Sequence, residues 1–285
     1  MAPMDAGPWS DTDTAALLRV PTASDDKYSR GVVGMRTGSV RYPGAAVLGV
    51  EAAWRAGAGM VRYLGPARAA DLVLQRRPET VAADGRVQAW VIGSGTDQED
   101  RADAEAETLR RILDGDVPVV VDAGALDLAI GARAPLIVTP HAGEHARLRA
   151  SLGLDASASA SDDARERAAL ETAAALGATV LLKGFTTIVA DASGWAVRVR
   201  AATPWLATAG AGDVLAGIVG ALVAGRRDAD APLGPSAAAA AWLHGQAAVV
   251  AASARGPLGG PIAALEVAEA LPTVIARTVA GDLRG

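Results

Sequence analysis

Residues 119–144 read Val119-Val-Val-Asp122-Ala-Gly-Ala-Leu126-Asp-Leu-Ala-Ile-Gly-Ala-Arg-Ala-Pro135-Leu136-Ile-Val-Thr139-Pro-His-Ala-Gly-Glu144. Two short aliphatic runs each end abruptly in a polar, glycine-bearing junction. Uninterrupted apolar runs of this length are expected of strands covered on both faces. The pattern repeats outward in both directions. Further strand candidates are Val32–Met35, Met60–Leu64, Ala89–Ile92, Thr179–Lys183, Ile188–Ala190 and Ala196–Val199, beside Val119–Asp122 and Leu136–Thr139. Helical patterns lie between them at Ala45–Ala56, Ala67–Arg76, Glu99–Leu113, Glu144–Leu152 and Asp162–Leu176, with a helical tail from Asp213. This alternation predicts right-handed βαβ units. The expected fold is a three-layer αβα sandwich, with a mainly parallel central sheet and helices on both faces. The one local exception is Asp191-Ala-Ser-Gly194, which reads as a hairpin turn between antiparallel strands.

The chain has 285 residues and a formal charge of -5, and 51% of it is hydrophobic but only 4% aromatic. That apolar fraction excludes disorder, and mild acidity with few aromatics argues against nucleic acid. Without cysteine there is no disulfide framework, thiol nucleophile or thiolate metal site. Lys27 and Lys183 are the only lysines against 25 arginines, a bias of base composition. Residues 1–26 are acidic and are expected to form a loosely packed arm with one short helix. Residues 27–285 read as one domain, with a Ser/Ala linker at Ala156–Ser161 and a charged loop at Arg226–Pro235. No secretory leader is visible before Arg19. Val214–Gly225 is too short to span a membrane, and Ser236–Ala254 is dominated by alanine, with His244 and Gln246 inside it. A cytoplasmic protein is expected.

In open α/β sheets ligands sit beyond the carboxyl ends of the strands, so the junctions carry the chemistry. Gly93-Ser-Gly95, Asp122-Ala-Gly124, Thr139-Pro-His-Ala-Gly-Glu144 and Lys183-Gly-Phe-Thr-Thr187 follow strand candidates, and Gly210-Ala-Gly-Asp213 opens a helix. Glycines ahead of a helix turn backbone N–H groups toward an anion, and the helix terminus adds partial positive charge. Asp213 could be a plain helix cap. It could instead accept a proton from a hydroxyl as that oxygen attacks a phosphoryl group. Lys183 is either a snorkelling strand-end residue or an ammonium with a specific task. Glu144 is either an ordinary first-turn acid or a partner of Mg²⁺-bound water near phosphates. Trp205 and Trp242 are expected to pack.

Several familiar patterns fail. Neither lysine follows a glycine, so there is no Walker A loop. The dinucleotide fingerprint breaks at Gln98 after Gly93-x-Gly95 and at Leu215 after Gly210-x-Gly212. His141-Ala-Gly-Glu-His145 spells an inverted zinc-protease pattern, but Pro140 and Gly143 place His141 in a loop ahead of the helix.

Together these segments resemble the ADP-dependent NAD(P)H-hydrate dehydratase family, of the ribokinase-like superfamily. The likeness runs from Lys27 to Pro272. It is carried by Lys27-Tyr-Ser-Arg-Gly31, Gly38-Ser-Val-Arg-Tyr-Pro-Gly-Ala-Ala46, Arg55-Ala-Gly-Ala-Gly59, Thr139-Pro-His-Ala-Gly-Glu144, Lys183-Gly-Phe-Thr-Thr187 and Leu206-Ala-Thr-Ala-Gly-Ala-Gly-Asp-Val-Leu-Ala-Gly217. The resemblance implies dehydration of hydrated NADH or NADPH (NADHX, NADPHX) back to the working coenzyme, consuming ADP or ATP with Mg²⁺. It places Ala45, Gly95, His141 and Asp213 against the hydrated coenzyme, with Asp213 as the catalytic base. It places Lys183, Gly184, Phe185, Thr186, Thr187 and Gly212 on the nucleotide, and the amides of Gly210, Ala211 and Gly212 on the transferring phosphoryl. The sequence departs from the family pattern in three places. Gly93-Ser94-Gly95 replaces Gly-Pro-Gly, Ala202-Thr203-Pro204 replaces Gly-Asn-Pro, and Ala209-Gly-Ala-Gly-Asp213 lacks the usual hydroxyl. A homo-oligomer is expected, and epimer interconversion is expected from another protein. The alternatives are a superfamily kinase for a vitamin-precursor alcohol, or a nucleotide sensor without turnover.

Overall fold

The computed structural model describes residues 8–157, 161–200 and 203–281. The start of the arm, the centre of the Ala156–Ser161 linker and Ala202 lie outside the described residues. In chain order the elements are α1 (Asp11–Leu17), β1 (Val32–Arg36), α2 (Pro43–Arg55), β2 (Met60–Tyr63), α3 (Ala67–Arg76), β3 (Ala89–Ile92) and α4 (Asp103–Leu113). Then follow β4 (Val119–Val121), β5 (Leu136–Val138), α5 (Ala142–Ser151), α6 (Asp162–Leu176), β6 (Thr179–Leu182), β7 (Thr186–Ala190) and β8 (Ala196–Arg200). The chain closes with α7 (Ala211–Ala224), α8 (Leu233–Ser253) and α9 (Ala264–Ala280). Single 3-10 segments occupy Ala123–Ala129 and Pro204–Leu206.

All eight strands join one sheet in the order β2-β1-β3-β4-β5-β6-β7-β8. Strands β1 to β6 run parallel, while β7 and β8 are antiparallel additions at one edge. Side chains alternate across each strand and so feed two cores. Val33, Met35, Val91 and Val120 pack beneath α2, α3, α7, α8 and α9. Ile92, Val119, Val121 and Val138 pack beneath α4, α5 and α6 on the opposite face. The three-layer sandwich is therefore as expected. The chain leaves β1 toward β2 on one side and resumes with β3 on the other. That reversal opens a crevice beyond the ends of β1 and β3.

Helices α2 and α7 meet backbone against backbone. A Cβ on Gly217 would stand 2.2 Å from the Gly49 carbonyl oxygen, and one on Gly220 would stand 2.3 Å from the Val91 side chain. Alanine and glycine let the upper helices lie this close to each other and to the sheet. Across the layer, Glu51 of α2 is fully buried and accepts from Arg55, Arg76 and Arg77, tying α2 to α3.

Some elements differ from the expectation. The antiparallel pairing begins one strand earlier, at β6–β7, because the link Lys183–Phe185 is far too short for a parallel crossover. Helix α4 begins at Asp103 rather than Glu99. The Asp97 carboxylate holds the Glu99 amide at 3.1 Å, and Arg101 reaches the Gly124 carbonyl at 2.8 Å, which bends the segment toward the next junction. The described arm is packed rather than loose. Thr14 is fully buried, and Trp9 meets Trp195 edge-on with ring centroids 6.2 Å apart. Trp242 packs against the core, but Trp205 remains 42% exposed.

The crossing at Gly217 yields a test in which two effects compete. Helix propensity favours alanine over glycine by about 1 kcal/mol. Overpacking costs about 1–3 kcal/mol, and a rigid backbone carbonyl leaves little room to relax. Gly217→Ala is expected to lower the thermal unfolding midpoint. A raised midpoint would show that propensity wins and that the helices can part.

Candidate active site

Every parallel strand delivers its final residue to the same edge of the sheet. Asp122 follows β4, Thr139 follows β5 and Lys183 follows β6, and these three meet. Lys183 Nζ donates to Asp122 Oδ1 at 2.8 Å and lies 3.7 Å from Glu144 Oε2. Asp122 is 2% exposed. It also accepts from the hydroxyls of Thr139, at 2.7 Å, and of Ser94, at 2.9 Å. Ser94 is the residue that departs from the family's Gly-Pro-Gly, and its hydroxyl is put to use holding this carboxylate. Burial works against the Lys183 charge, but the Asp122 and Glu144 carboxylates outweigh it and the pKa is raised. The ammonium is thus fixed and mostly covered, not snorkelling.

Asp213 is the third residue of α7, so it is not the helix cap. The cap position is Gly210, with φ +86°, and no side chain closes the helix terminus there. The Ala211 amide donates to the Thr208 carbonyl at 3.3 Å, and the rest of the first turn of this 14-residue helix has no side-chain cap. Burial pushes the Asp213 carboxyl up to about 7; Asp122 repulsion adds to this and Lys183 opposes it. A carboxyl of this kind holds or releases a proton near neutral pH, which suits a general base.

The two remaining candidate groups sit on either side. At the switch-point crevice, the first turn of α2 lies directly on the Gly93–Gly95 turn. A Cβ on Gly95, where φ is +66°, would stand 2.2 Å from the Ala45 Cβ, and the Gly38 amide donates to the Ser94 carbonyl at 2.7 Å. Ala45 and Gly95 therefore form one surface. Along the same helix, Leu48 would touch a Cβ on Gly210 at 2.5 Å, and one on Gly49 would lie 3.4 Å from the Asp213 carbonyl oxygen. Residues three and four apart share a helix face, so α2 carries the Ala45 surface across to the Asp213 turn.

On the other side lies a cavity of about 590 Å³ whose walls include His141, Lys183, Gly184, Phe185, Thr187, Ala211, Gly212 and His244. Thr186 and Gly210 are not among its lining residues. The Thr186 carbonyl accepts from Arg165 at 2.8 Å, and its side chain faces Asp162. Phe185, the only phenylalanine, is half-exposed at the cavity rim beside the Arg200 guanidinium.

His141 and Glu144 cap α5 reciprocally. The His141 Nδ1 accepts from the Gly143 and Glu144 amides at 3.0 and 3.3 Å, while Glu144 Oε2 accepts from the His141 amide at 2.7 Å. With Nδ1 accepting, a neutral ring presents its N–H at Nε2. His145 turns the other way and pairs with Thr172 inside the protein at 2.9 Å. The two histidines of the zinc-protease spelling therefore never converge. Glu144 is both a first-turn acid and a neighbour of the Lys183 ammonium. Among the described residues no group of three or more His, Asp or Glu side chains could hold a metal ion by itself. A cation carried on phosphates, met by Glu144 through water, fits these donors.

Two residues of this site escaped the sequence reading. Asp122 was visible only as a strand-end junction, although an acid directly after an all-valine strand is the signal that marks it. His244 was masked by the alanine-rich composition of α8.

Comparison with known proteins assigns the family. The sequence profile of the NAD(P)H-hydrate dehydratase family matches residues 33–272. The chain is 49% identical over 225 residues to the bifunctional NAD(P)H-hydrate repair enzyme Nnr of Mycobacterium tuberculosis, covering 75% of this chain but 45% of that protein. It thus spans about half the length of that relative. It is 35% identical to the ADP-dependent (S)-NAD(P)H-hydrate dehydratase of Neisseria meningitidis, over 87% of both chains. Its backbone superposes on the Bacillus subtilis ADP/ATP-dependent NAD(P)H-hydrate dehydratase, co-crystallised with ATP/Mg²⁺, with a TM-score of 0.84. That match has 26% identity and covers 96% of this chain and 99% of the other. A profile spanning most of the sequence and a ribokinase-like fold shared nearly end to end lead to one conclusion: the chain belongs to the NAD(P)H-hydrate dehydratase family.

Proposed function

We propose that the protein dehydrates hydrated NADH and NADPH back to the reduced coenzymes, driven by a phosphoryl group from ADP or ATP. The observation that carries this reading is the Asp213 carboxyl, raised to about 7, beside an amide-lined helix terminus and the fixed Lys183 ammonium. The family membership and the named activities of the relatives support it.

A ring hydroxyl is a poor leaving group. In the proposed reaction Asp213 accepts the hydroxyl proton as that oxygen attacks the terminal phosphorus of the nucleotide. The bond to the leaving AMP or ADP breaks, and the coenzyme becomes a phosphate ester. Amides at the start of α7 stabilise the charge on the transferring group. Lys183 holds the phosphate chain, and Asp122 holds Lys183. Loss of phosphate from one ring carbon, with a proton from its neighbour, then restores the ring double bond. Mg²⁺, arriving on the nucleotide and facing Glu144 through water, would spread the phosphoryl charge.

Ala45, Gly95 and His141 would border the hydrated ring. Lys183, Gly184, Phe185, Thr187, Ala211 and Gly212 would border the nucleotide, with Thr186 and Gly210 supporting that loop and that turn. No described helix is long and apolar enough to cross a membrane. A cytoplasmic homo-oligomer that binds no nucleic acid completes the proposal, and it rests on the resemblance and the mild net acidity.

Three outcomes test this reading. Incubation with NADHX and ADP should generate NADH absorbance. Asp213→Asn should reduce that rate by at least about a hundredfold, the usual scale of general base catalysis, while ADP still binds. Full activity in the variant, or phosphorylation of an unrelated alcohol without NADH formation, would reject the assignment. The base must be ionised to act. Accordingly kcat/KM should rise about tenfold per pH unit up to about pH 7 and level off above it.

Stability should run the opposite way. The folded protein keeps the Asp213 proton up to about 7, whereas an unfolded chain releases it near 3.8, so the stabilisation is lost as pH climbs between those values. Near pH 8, Asp213→Asn should therefore be more stable than its parent, by on the order of 2–4 kcal/mol, and equally stable near pH 4. Denaturant titration at both pH values measures this.

A further inference from the structure

Lys183, Gly184, Phe185 and Thr187 line the cavity at the start of α7, whereas Arg165 of α6 is not among its lining residues. The guanidinium lies behind that loop instead, with its side chain 16% exposed. It donates to the Thr186 carbonyl at 2.8 Å and reaches the Lys183 carbonyl at 3.4 Å. Asp162, one turn earlier on α6, fixes it at 2.9 Å and faces the Thr186 side chain. A Cβ on Gly184 would stand 2.5 Å from Arg165 Nη2, so the loop backbone rests directly on the guanidinium. The reaction proposed above makes no use of this arginine.

These contacts set which way the loop presents its donors. In a planar trans peptide the carbonyl and the following N–H lie on opposite sides. With the Lys183 carbonyl turned onto Arg165, the Gly184 N–H is directed away from α6, to the side on which Gly184 meets the cavity. That donor stands beside the Lys183 ammonium, where one phosphate can meet both. We propose that Arg165 is a positioning residue for nucleotide binding: it braces the Lys183–Thr187 loop from behind and so aims the Gly184 amide at the phosphate chain. Lysine in its place would supply the charge without the planar fork that spans two carbonyls. The proposal rests on the reading of that cavity as the nucleotide site.

The test compares the full chain of the parent with Arg165→Met and Arg165→Lys. Calorimetric titration should show ADP affinity weakened about tenfold in Arg165→Met, the scale of one net hydrogen bond, with Arg165→Lys in between. In turnover the same change should appear as a raised KM for ADP, with kcat at saturating ADP and the KM for NADHX unchanged. An arginine that merely held the fold together would instead lower kcat and disturb both KM values along with the unfolding midpoint. In the parent, the Gly184 amide resonance should move on addition of ADP or of inorganic pyrophosphate, and this decides the matter if the variants do not fold. ADP bound equally by the parent and Arg165→Met, a lysine variant no better than methionine, a loss confined to kcat, or a Gly184 resonance unmoved by bound ADP would each overturn the proposal and leave the nucleotide reading intact. A parent that binds no ADP would overturn both. A parent that binds ADP but forms no NADH would refute the dehydratase reading and leave this one standing.

Discussion

The Asp122–Lys183 ion pair is the contact around which the rest of the site is arranged. Its two members follow different strands, and the Asp122 and Glu144 carboxylates keep the Lys183 pKa raised against its burial. Asp122 spends three acceptor positions on Ser94, Thr139 and Lys183, so its geometry is set from three strand ends at once. The ammonium it fixes lies at the start of α7, 3.5 Å from where a Cβ on Gly212 would stand. The same carboxylate repels Asp213 and helps to raise its pKa toward neutrality. One buried acid therefore both fixes the Lys183 ammonium and raises the Asp213 carboxyl.

This electrostatic arrangement depends on a steric one. The start of α7 is placed by its packing on α2, where a Cβ on Gly217 would meet the Gly49 carbonyl and one on Gly49 would lie 3.4 Å from the Asp213 carbonyl oxygen. Leu48 meanwhile lies at the Gly210 turn. A single helix thus connects the surface at Ala45 and Gly95 with the start of α7, which keeps two half-sites in register across a cleft that is itself open.

The fold was largely legible because buried parallel strands announce themselves as short aliphatic runs with glycine-rich exits. Lys183, His141 and Asp213 were visible by the same logic, since each stands directly after a strand or a glycine turn. The antiparallel β6–β7 link was also written in the chain, in a connection of only Lys183–Phe185, yet strand composition alone does not state direction. Other features were harder to see. The reciprocal cap of His141 and Glu144 depends on the extended backbone at His141, and the role of Asp122 depends on partners 28, 17 and 61 residues away. His244 is hidden for a different reason. In a helix that is apolar almost all round, periodicity cannot say which residue faces a cavity.

The uncapped start of α7 bears on how binding and folding are linked. Backbone donors left without side-chain acceptors are a standing liability in an empty protein, and any bound polyphosphate relieves it. Ligand occupancy adds to folding stability in proportion to the logarithm of its concentration over its dissociation constant. An anion bound at this terminus would therefore slow proteolysis of the folded chain in step with its occupancy.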